Sequence, residues 1–399
     1  MGKFVPGGSY KSTSRNIKVT LRAQTQKIDQ SYMFAELDIT DLDDANIANM
    51  DGVLVNESGF APSRGYVPGG SYQQTSYGIT VELSAECQKI DYHSWVPATL
   101  DITNLIVADI ANIDGTLVNQ AKPFIVAQYF GIFDDWYTRA MAQNPPFDKL
   151  NRLYIAFAWI EDGKLTYKNK GYDYQKISDL VTACRNKNPN AEILISSGYD
   201  EYGTMYKYAA KDTKSTQEFA QSVVDFINTH NLNGYDMDWE KGIDQKGMND
   251  LLDALRKAFD AEKKQYKLTL AVWPQPGKLY DLGEIAGYVD QINIMSYGPN
   301  SLLSDSVSAY YDSGNGIPYE KMVGGIETEI DYKESGGSDT LGDTGSIKQK
   351  CDYALDKRLG GMMEWRLDND YASGVVPAFS GAECLYKYLY KYMKPGRLG

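Results

Sequence analysis

Histidine, cysteine and long apolar runs are all scarce in this 399-residue chain, and each scarcity removes a class of function. There are two histidines, His93 and His230, so a Ser-His-Asp or Cys-His enzyme must use one of them. His230 stands just before the acidic segment described below, at the end away from Glu240, which fits a core histidine better than a catalytic base. The four cysteines, Cys87, Cys184, Cys351 and Cys384, are far apart and show no C-x-x-C spacing. Neither a zinc site nor a disulfide framework is indicated, and buried free thiols are expected. No apolar run approaches the length of a membrane-spanning helix, which argues against membrane insertion. Basic residues are outnumbered 40 to 53, giving a net charge of -13, and a nucleic-acid partner would need a basic face. The start, Met1-Gly-Lys-Phe4, carries no hydrophobic signal segment. The expected compartment is extracellular, with an export signal missing from this chain; a native start implies the cytoplasm instead.

What is abundant points elsewhere. Hydrophobic residues make up 43% of the chain, enough for large cores, and the length predicts two or three units. The 31 tyrosines supply rings suited both to cores and to stacking on sugars. The most informative stretch is Asn233-Gly-Tyr-Asp-Met-Asp-Trp-Glu240. It sets Asp236, Asp238 and Glu240 at i, i+2 and i+4, so a strand over 234–240 turns all three acids to one face. Spacing alone leaves three readings open: the solvent side of an edge strand, oxygen ligands for Mg2+ or Ca2+, or a proton-holding catalytic row. Tyr235, Met237 and Trp239 on the other face count against an edge strand, and no second acid cluster at suitable spacing supports a metal.

The first third is an internal repeat. Phe4-Val-Pro-Gly-Gly-Ser-Tyr10 returns as Tyr66-Val-Pro-Gly-Gly-Ser-Tyr72, Gln26-Lys-Ile-Asp29 as Gln88-Lys-Ile-Asp91, and Ile47-Ala-Asn-Met-Asp-Gly52 as Ile110-Ala-Asn-Ile-Asp-Gly115. Two copies are too few for a solenoid and predict one pseudo-symmetric module, with repeats over about 4–56 and 66–119 in a domain of residues 1–121. Ile17–Leu21 and Ile79–Ser84 alternate as strands, and Asp-Gly at 51–52 and 114–115 predicts hairpin turns. This part resembles the cyanovirin-N homology lectins, the run at 110–117 being the sharpest element. The resemblance implies an all-β fold with one oligomannose site built from Ser12, Thr13, Gln26, Asn112, Asp114 and Gly115. A second would use Asn49, Asp51, Ser71, Gln74, Thr75 and Gln88. The family's within-repeat disulfide positions hold Ser14 with Thr25 and Ser76 with Cys87, so neither bridge can form. The plainer alternative is that each Asn-x-Asp-Gly only makes a turn.

After a short connector at 119–123, apolar strands alternate with amphipathic helices. Strands are expected at 124–130, 153–159, 192–197, 234–240, 267–273, 291–297, 322–326 and 361–365. Ile177, Leu180, Val181 and Cys184 keep helical spacing, as do Met248, Leu251, Leu252 and Leu255. Ser215-x-x-Glu218 reads as a capping box ahead of Phe219 and Val223. Eight strands with intervening helices over 122–399 predict a (β/α)8 TIM barrel, whose active site lies at the carboxyl ends of the strands. Glu240 closes the fourth strand. Other strand ends carry Gln128, Tyr129, Trp159, Ser196, Trp273, Gln275, Tyr297 and Trp365, a rim suited to sugars.

At these residues the chain resembles glycoside hydrolase family 18, the chitinase family. The octapeptide 233–240 is similar to its D-G-x-D-x-D-W-E strand, Met295-Ser-Tyr297 to its M-x-Y, and Gly360-Gly-Met-Met-Glu-Trp365 to its eighth strand. Ala156-Phe-Ala158 and Ser196-Ser-Gly198 are similar to its second and third strands. The resemblance implies Glu240 as general acid, Asp238 orienting the substrate's 2-acetamido group as internal nucleophile, Asp236 sharing its charge and proton, and Tyr297 bonding the acetamido carbonyl. Trp365 would floor the cleaved sugar, with Tyr129, Trp159, Ser196, Trp273, Gln275 and Met295 around the substrate; no metal or other cofactor is required. Three departures stand out: Asn233 for the usual Asp, Gly298 after Tyr297, and Tyr199 after Gly198. The expected function is endo-hydrolysis of chitin or chitooligosaccharides, with a lectin module that anchors the enzyme on mannose-type glycans. An endo-β-N-acetylglucosaminidase acting on high-mannose N-glycans, and a catalytically silent carbohydrate-binding protein, are the alternatives.

Overall fold

The computed structural model describes residues 2–57, 59–105, 108–120, 123–133, 135–198, 203–311, 316–328, 339–370 and 377–393. Tyr199 and connector residues 121–122 lie outside these. The chain forms two compact units, one of Met1–Phe124 with the short segments Leu355–Arg358 and Lys391–Gly399, the other of Ile125–Ala354 with Leu359–Tyr390.

The first unit is β-rich and built twice over. Strands β1 (Ser14–Gln26), β2 (Tyr32–Asp38), β3 (Ile47–Met50) and β4 (Val53–Asn56) are echoed by β5 (Ser76–Gln88), β6 (Trp95–Asp101), β7 (Ile110–Ile113) and β8 (Thr116–Asn119). An antiparallel sheet runs β2-β1-β5-β6, and β3-β4 and β7-β8 are separate hairpins. Alternate residues of the sheet turn one way, so Val19, Leu21, Ala23, Val81, Leu83 and Ala85 are buried together with Phe4, Tyr10, Tyr66 and Tyr72. The expected Asp-Gly turns are present: Asp51 and Asp114 have φ of 50° and 47°, and Gly52 and Gly115 have 93° and 88°. Two consecutive left-handed residues make the tight hairpin that matches strand twist. The two residue pairs expected to stay unbridged are also far apart. Ser14 and Thr25 stand near opposite ends of β1, and Ser76 and Cys87 of β5, roughly 36 Å apart along a strand. The register instead sets Ser14 opposite Cys87 and Thr25 opposite Ser76, across the two repeats.

The second unit is a closed eight-stranded parallel barrel. Its strands are β9 (Ile125–Gly131), β10 (Arg152–Glu161), β12 (Glu192–Ser197), β13 (Gly234–Met237), β14 (Lys267–Val272), β15 (Gln291–Ile294), β16 (Met322–Glu327) and β17 (Gly361–Trp365). They follow one another around the barrel and β17 meets β9, which pairs with β10. A hairpin partner, β11 (Lys164–Thr166), extends β10. The helices between strands include α1 (Trp136–Ala142), α2 (Lys170–Lys187), α3 (Thr204–Ala209), α4 (Thr213–Thr229) and α5 (Gln245–Asp260). Their apolar stripes are those expected: Ile177, Leu180, Val181 and Cys184 on α2, and Met248, Leu251, Leu252 and Leu255 on α5, are buried.

Three expectations change. The acidic strand ends at Met237, so Asp238 and Glu240 sit just past it; the Asp238 N–H still reaches Ser197 O at 2.9 Å, prolonging the ladder. Helix α4 is capped by Asp212, whose carboxylate accepts from Ser215 N at 2.8 Å, so Ser215 is the third helical residue and not the cap. An acceptor three residues earlier reaches that free N–H directly. Gln128 belongs to the outer face of β9, because its neighbours Ala127 and Tyr129 join the barrel interior. It is buried there with neither amide atom partnered by protein, and contributes nothing to a sugar rim.

Candidate active site

Four strands each send one donor to Asp236. Tyr129 Oη and Ser196 Oγ donate to Oδ2 at 3.0 and 2.7 Å, while Thr269 Oγ1 and Asn293 Nδ2 donate to Oδ1 at 2.6 and 3.1 Å. Register explains the gathering, since Ser196, Asp236 and Thr269 are direct cross-strand partners. These bonds favour the carboxylate, yet burial outweighs them and pushes Asp236 up to about 6. Below it the interior stays polar: Asn293 also donates to Tyr129 Oη at 2.9 Å and accepts from Gln291, which itself accepts from Arg152.

Asp238 is held differently. Its Oδ1 is buried without a protein partner. Its Oδ2 lies over Gly198, where a Cβ would come within 2.7 Å, so any larger residue there displaces the carboxylate. Burial, then Glu240, then Asp236 push the Asp238 carboxyl well above the usual range. Glu240, only partly buried, is raised by burial and partly relieved by Lys241. Acids so placed oppose one another's ionisation, and burial adds to that opposition at each of the three.

The segment carrying Glu240 is fastened on both sides. Trp239 turns outward, stacks on Tyr206 with centroids 5.0 Å apart, and donates its indole N–H to Lys241 O at 2.8 Å. Trp273 donates its indole N–H to Glu240 O at 3.0 Å. Beside the row, Tyr129 lies 5.6 Å from Trp365, whose ring stacks on Phe157 at 5.7 Å, and Phe157 in turn stacks on Phe133 at 5.8 Å. Met295 and Tyr297 pack against the same interior cluster. Tyr129, Ser196, Trp273, Met295, Tyr297 and Trp365 therefore converge around the barrel's carboxyl end with the three acids. Gln275 is exposed on the loop after β14. Trp159 departs from expectation: it pairs with Thr166 in the β10–β11 hairpin and lies under the Lys168 ammonium, 4.7 Å from its ring. His230 bonds Tyr167 Oη at 2.6 Å and is buried as a core residue.

Sequence reasoning missed Thr269, Asn293, Phe133 and Phe157 as parts of this arrangement. A polar residue alternating with apolar ones, as in Gln291-Ile-Asn-Ile294, was the available signal for Asn293. Phe157 is the centre of the Ala156-Phe-Ala158 match, and its part in the site is visible only in its stacking between Trp365 and Phe133.

The β-rich unit contains two small polar clusters, with one exchange from the expected membership. Asn112 Nδ2 donates to Thr13 O at 3.1 Å and Gln88 O at 2.8 Å, its Oδ1 accepts from Gly115 N, and Asp114 accepts from Ile90 N. Asn49 Nδ2 donates to Gln26 O at 2.7 Å and Thr75 Oγ1 at 3.0 Å, its Oδ1 accepts from Gly52 N, and Asp51 accepts from Ile28 N. Gln88 thus joins Thr13, Asn112, Asp114 and Gly115, and Gln26 joins Asn49, Asp51 and Thr75. The cause is the antiparallel β1–β5 pairing, which brings the end of each long strand to the start of the other repeat. Ser12 turns its hydroxyl onto Ser9 O, and Ser71 and Gln74 bound the short helical turn before β5.

Residues 126–329 match the pattern of the glycosyl hydrolases family 18. Chitinase A1 of Niallia circulans is 29% identical over 168 residues, covering 37% of this chain and 24% of that protein. An endochitinase of Brugia malayi is 26% identical over 280 residues, covering 63% and 54%. The chain therefore spans about a quarter to about half the length of these relatives. Among solved structures, human YKL-39, described as a pseudo-chitinase with retained chitooligosaccharide binding, superposes with a TM-score of 0.55 at 19% identity, covering 67% of this chain and 100% of that one. A likeness at that identity speaks for the fold alone.

Proposed function

Because the chain belongs to the glycosyl hydrolases of family 18, we propose that its barrel cleaves β-1,4-linked N-acetylglucosamine chains, retaining anomeric configuration, with the substrate's acetamide as nucleophile. One observation carries this reading: Asp238 is buried beside Glu240 with an unpartnered oxygen and a raised pKa, a group waiting for a donor. An acetamido N–H is such a donor. In the proposed sequence Glu240 gives its proton to the glycosidic oxygen as the C1–O bond breaks. The acetamido carbonyl oxygen attacks C1 from the opposite face, held by Tyr297, and Asp238 stabilises the positive charge of the resulting oxazolinium ring. Asp236, with its four donors, takes up the second charge. Water then attacks C1, losing its proton to Glu240, and the β-anomer is released. Trp365, stacked with Phe157, is the floor under the cleaved sugar; Tyr129, Ser196, Trp273, Met295 and the exposed Gln275 border it.

For residues 1–121 we infer a carbohydrate-binding module of the cyanovirin-N homology kind, joined to a barrel domain of 122–399. Its two-fold repeat and paired polar clusters support this reading; oligomannose would be taken at Ser12, Thr13, Gln88, Asn112, Asp114 and Gly115, and at Gln26, Asn49, Asp51, Ser71, Gln74 and Thr75. The decisive experiment is product release from chitooligosaccharides and, separately, from a high-mannose glycoprotein. Cleavage of the first with a β-anomeric product is expected. Cleavage of the glycoprotein alone assigns the enzyme to N-glycan cores, and cleavage of neither makes it a silent binder.

A further inference from the structure

The two repeats carry five equivalent positions on the outer face of the sheet, and fill them in opposite ways. In both, the register is the same: the residue at 24 or 86 lies between two cross-strand partners, and the residue at 26 or 88 faces a third. At one end these positions are Gln24, Gln26, Tyr32, Phe34 and Tyr77. At the other they are Glu86, Gln88, Trp95, Pro97 and Arg15. The second set is closed on itself. Arg15 Nε donates to Glu86 Oε2 at 2.6 Å, and its guanidinium covers Trp95 at 4.4 Å. Pro97 lacks the N–H that a further strand would need.

The first set is open and uncharged. Tyr32, Phe34 and Tyr77 are 48%, 55% and 57% exposed, a cost that the folded unit gains nothing from. Tyr32 and Tyr77 meet at 5.0 Å with their planes 68° apart, forming a corner. Phe34 and Tyr77 flank Gln24 on the two neighbouring strands, so they stand roughly 10 Å apart, about the length of a disaccharide. The exposed ring area is roughly 300 Å2, from the usual size of aromatic side chains. A stable protein partner buries on the order of 800 Å2 per side, so the face is too small for one and suited to a few sugar rings.

We propose that Tyr32, Phe34 and Tyr77, with Gln24 and Gln26 between them, form a stacking platform for a single β-1,4-linked chain of uncharged N-acetylated pyranoses, which shares with the paired Asn-Asp clusters only Gln26, whose backbone carbonyl serves Asn49. In such a sugar every ring substituent is equatorial, so both faces present C–H groups to aromatic rings. The axial 2-hydroxyl of mannose interrupts one face. The glutamine amides supply a donor and an acceptor each for acetamido groups at the chain's edge. The corner geometry selects a single chain over a flat crystal surface, which would need coplanar rings. The choice of polymer rests on the hydrolase reading given above.

The test uses the full chain carrying Glu240→Gln, so that the polymer survives, with swollen chitin particles as the probe. Tyr32→Ala, Phe34→Ser and Tyr77→Ala together are expected to weaken retention about tenfold with an unchanged melting temperature. Arg15→Ala with Trp95→Ala, on the closed face, is expected to leave retention as it was. Chitohexaose should displace the parent protein and a mannose hexasaccharide should not. Equal retention of the triple variant overturns the platform, as does a parent dimer that the triple variant converts to monomer, since the face is then a protein interface. Hydrolysis by the unsubstituted chain is read separately. Retention through this face without cleavage of chitooligosaccharides leaves the platform standing and removes the hydrolase reading.

Discussion

The barrel's acids and the Asn-Asp-Gly clusters of the β-rich unit are both polar groups held in tight register, yet they are finished differently. Asn112 and Asn49 bond on both the donor and the acceptor side, tying a hairpin to a neighbouring strand end. Asp236 is likewise saturated, but Asp238 two residues later keeps an oxygen buried and unpartnered beside a half-buried Glu240. A saturated polar group explains a fold; one left unsatisfied in a buried place costs about 1–3 kcal/mol and asks for a ligand. At Asp238, unlike the equally unpartnered Gln128 on the outer face of β9, that oxygen lies beside the partly exposed Glu240, which supports the proposed chemistry. The asparagines hold turns whether or not sugars also visit them, and in the β-rich unit the spare binding capacity lies on the aromatic face instead.

Substitutions can break this contrast. The largest effect is expected from Glu240→Gln, which removes the proposed proton donor and should lower release of reducing ends from chitooligosaccharides by roughly 10²–10⁴-fold without loss of secondary structure. Next comes the proton on Asp236. Its folded pKa of about 6 lies above that of an unfolded carboxyl, so the stability linked to it is fully present below about pH 4 and is lost as pH rises through 6. Asp236→Asn should flatten the fall in unfolding free energy across that window by about 3 kcal/mol, measured by urea denaturation at several pH values; an unchanged slope would place the proton elsewhere. Gly198→Ala drives a methyl into Asp238 Oδ2 and should cut kcat on the order of 10²-fold, by displacing the carboxylate, while leaving melting nearly unmoved. Smallest, Asn112→Ala removes the amide that bonds Gln88 O and Thr13 O, the latter keeping its bond from Gln88 N–H, and should destabilise the β-rich unit by about 1 kcal/mol, seen as an earlier melting of that unit. If Asn112→Ala melted like the parent, the claim that these clusters are structural would fall.

The barrel was legible because parallel strands buried on both faces read as short apolar runs, and those runs recur eight times. Within it, the alternating acids pointed inward as their spacing required. The site's supporting cast was harder to see. Thr269 and Asn293 are ordinary residues until the register brings them level with Asp236, and no local pattern encodes which strands become neighbours across 30 or more residues. Trp159 misled for the related reason that β10 runs past the barrel, so this strand-end aromatic is taken up by the β10–β11 hairpin and by Lys168. In the β-rich unit the repeat is plain and both expected clusters mix residues of the two repeats, but Gln26 and Gln88 stand each in the other's cluster. Only the antiparallel pairing of β1 with β5 shows which strand end meets which hairpin.

The manner in which Glu240 is suspended has an implication for engineering. β13 stops at Met237, and the last three residues of the motif hang from the adjacent Lys241 O and from Ser197 O, Tyr206 and the Trp273 indole, the last three contributed by three other segments. The octapeptide is therefore not a portable cassette. Transplanted into a foreign barrel without those four supports, it would keep its spelling and lose its aim; the inheritable unit is the motif together with its suspension.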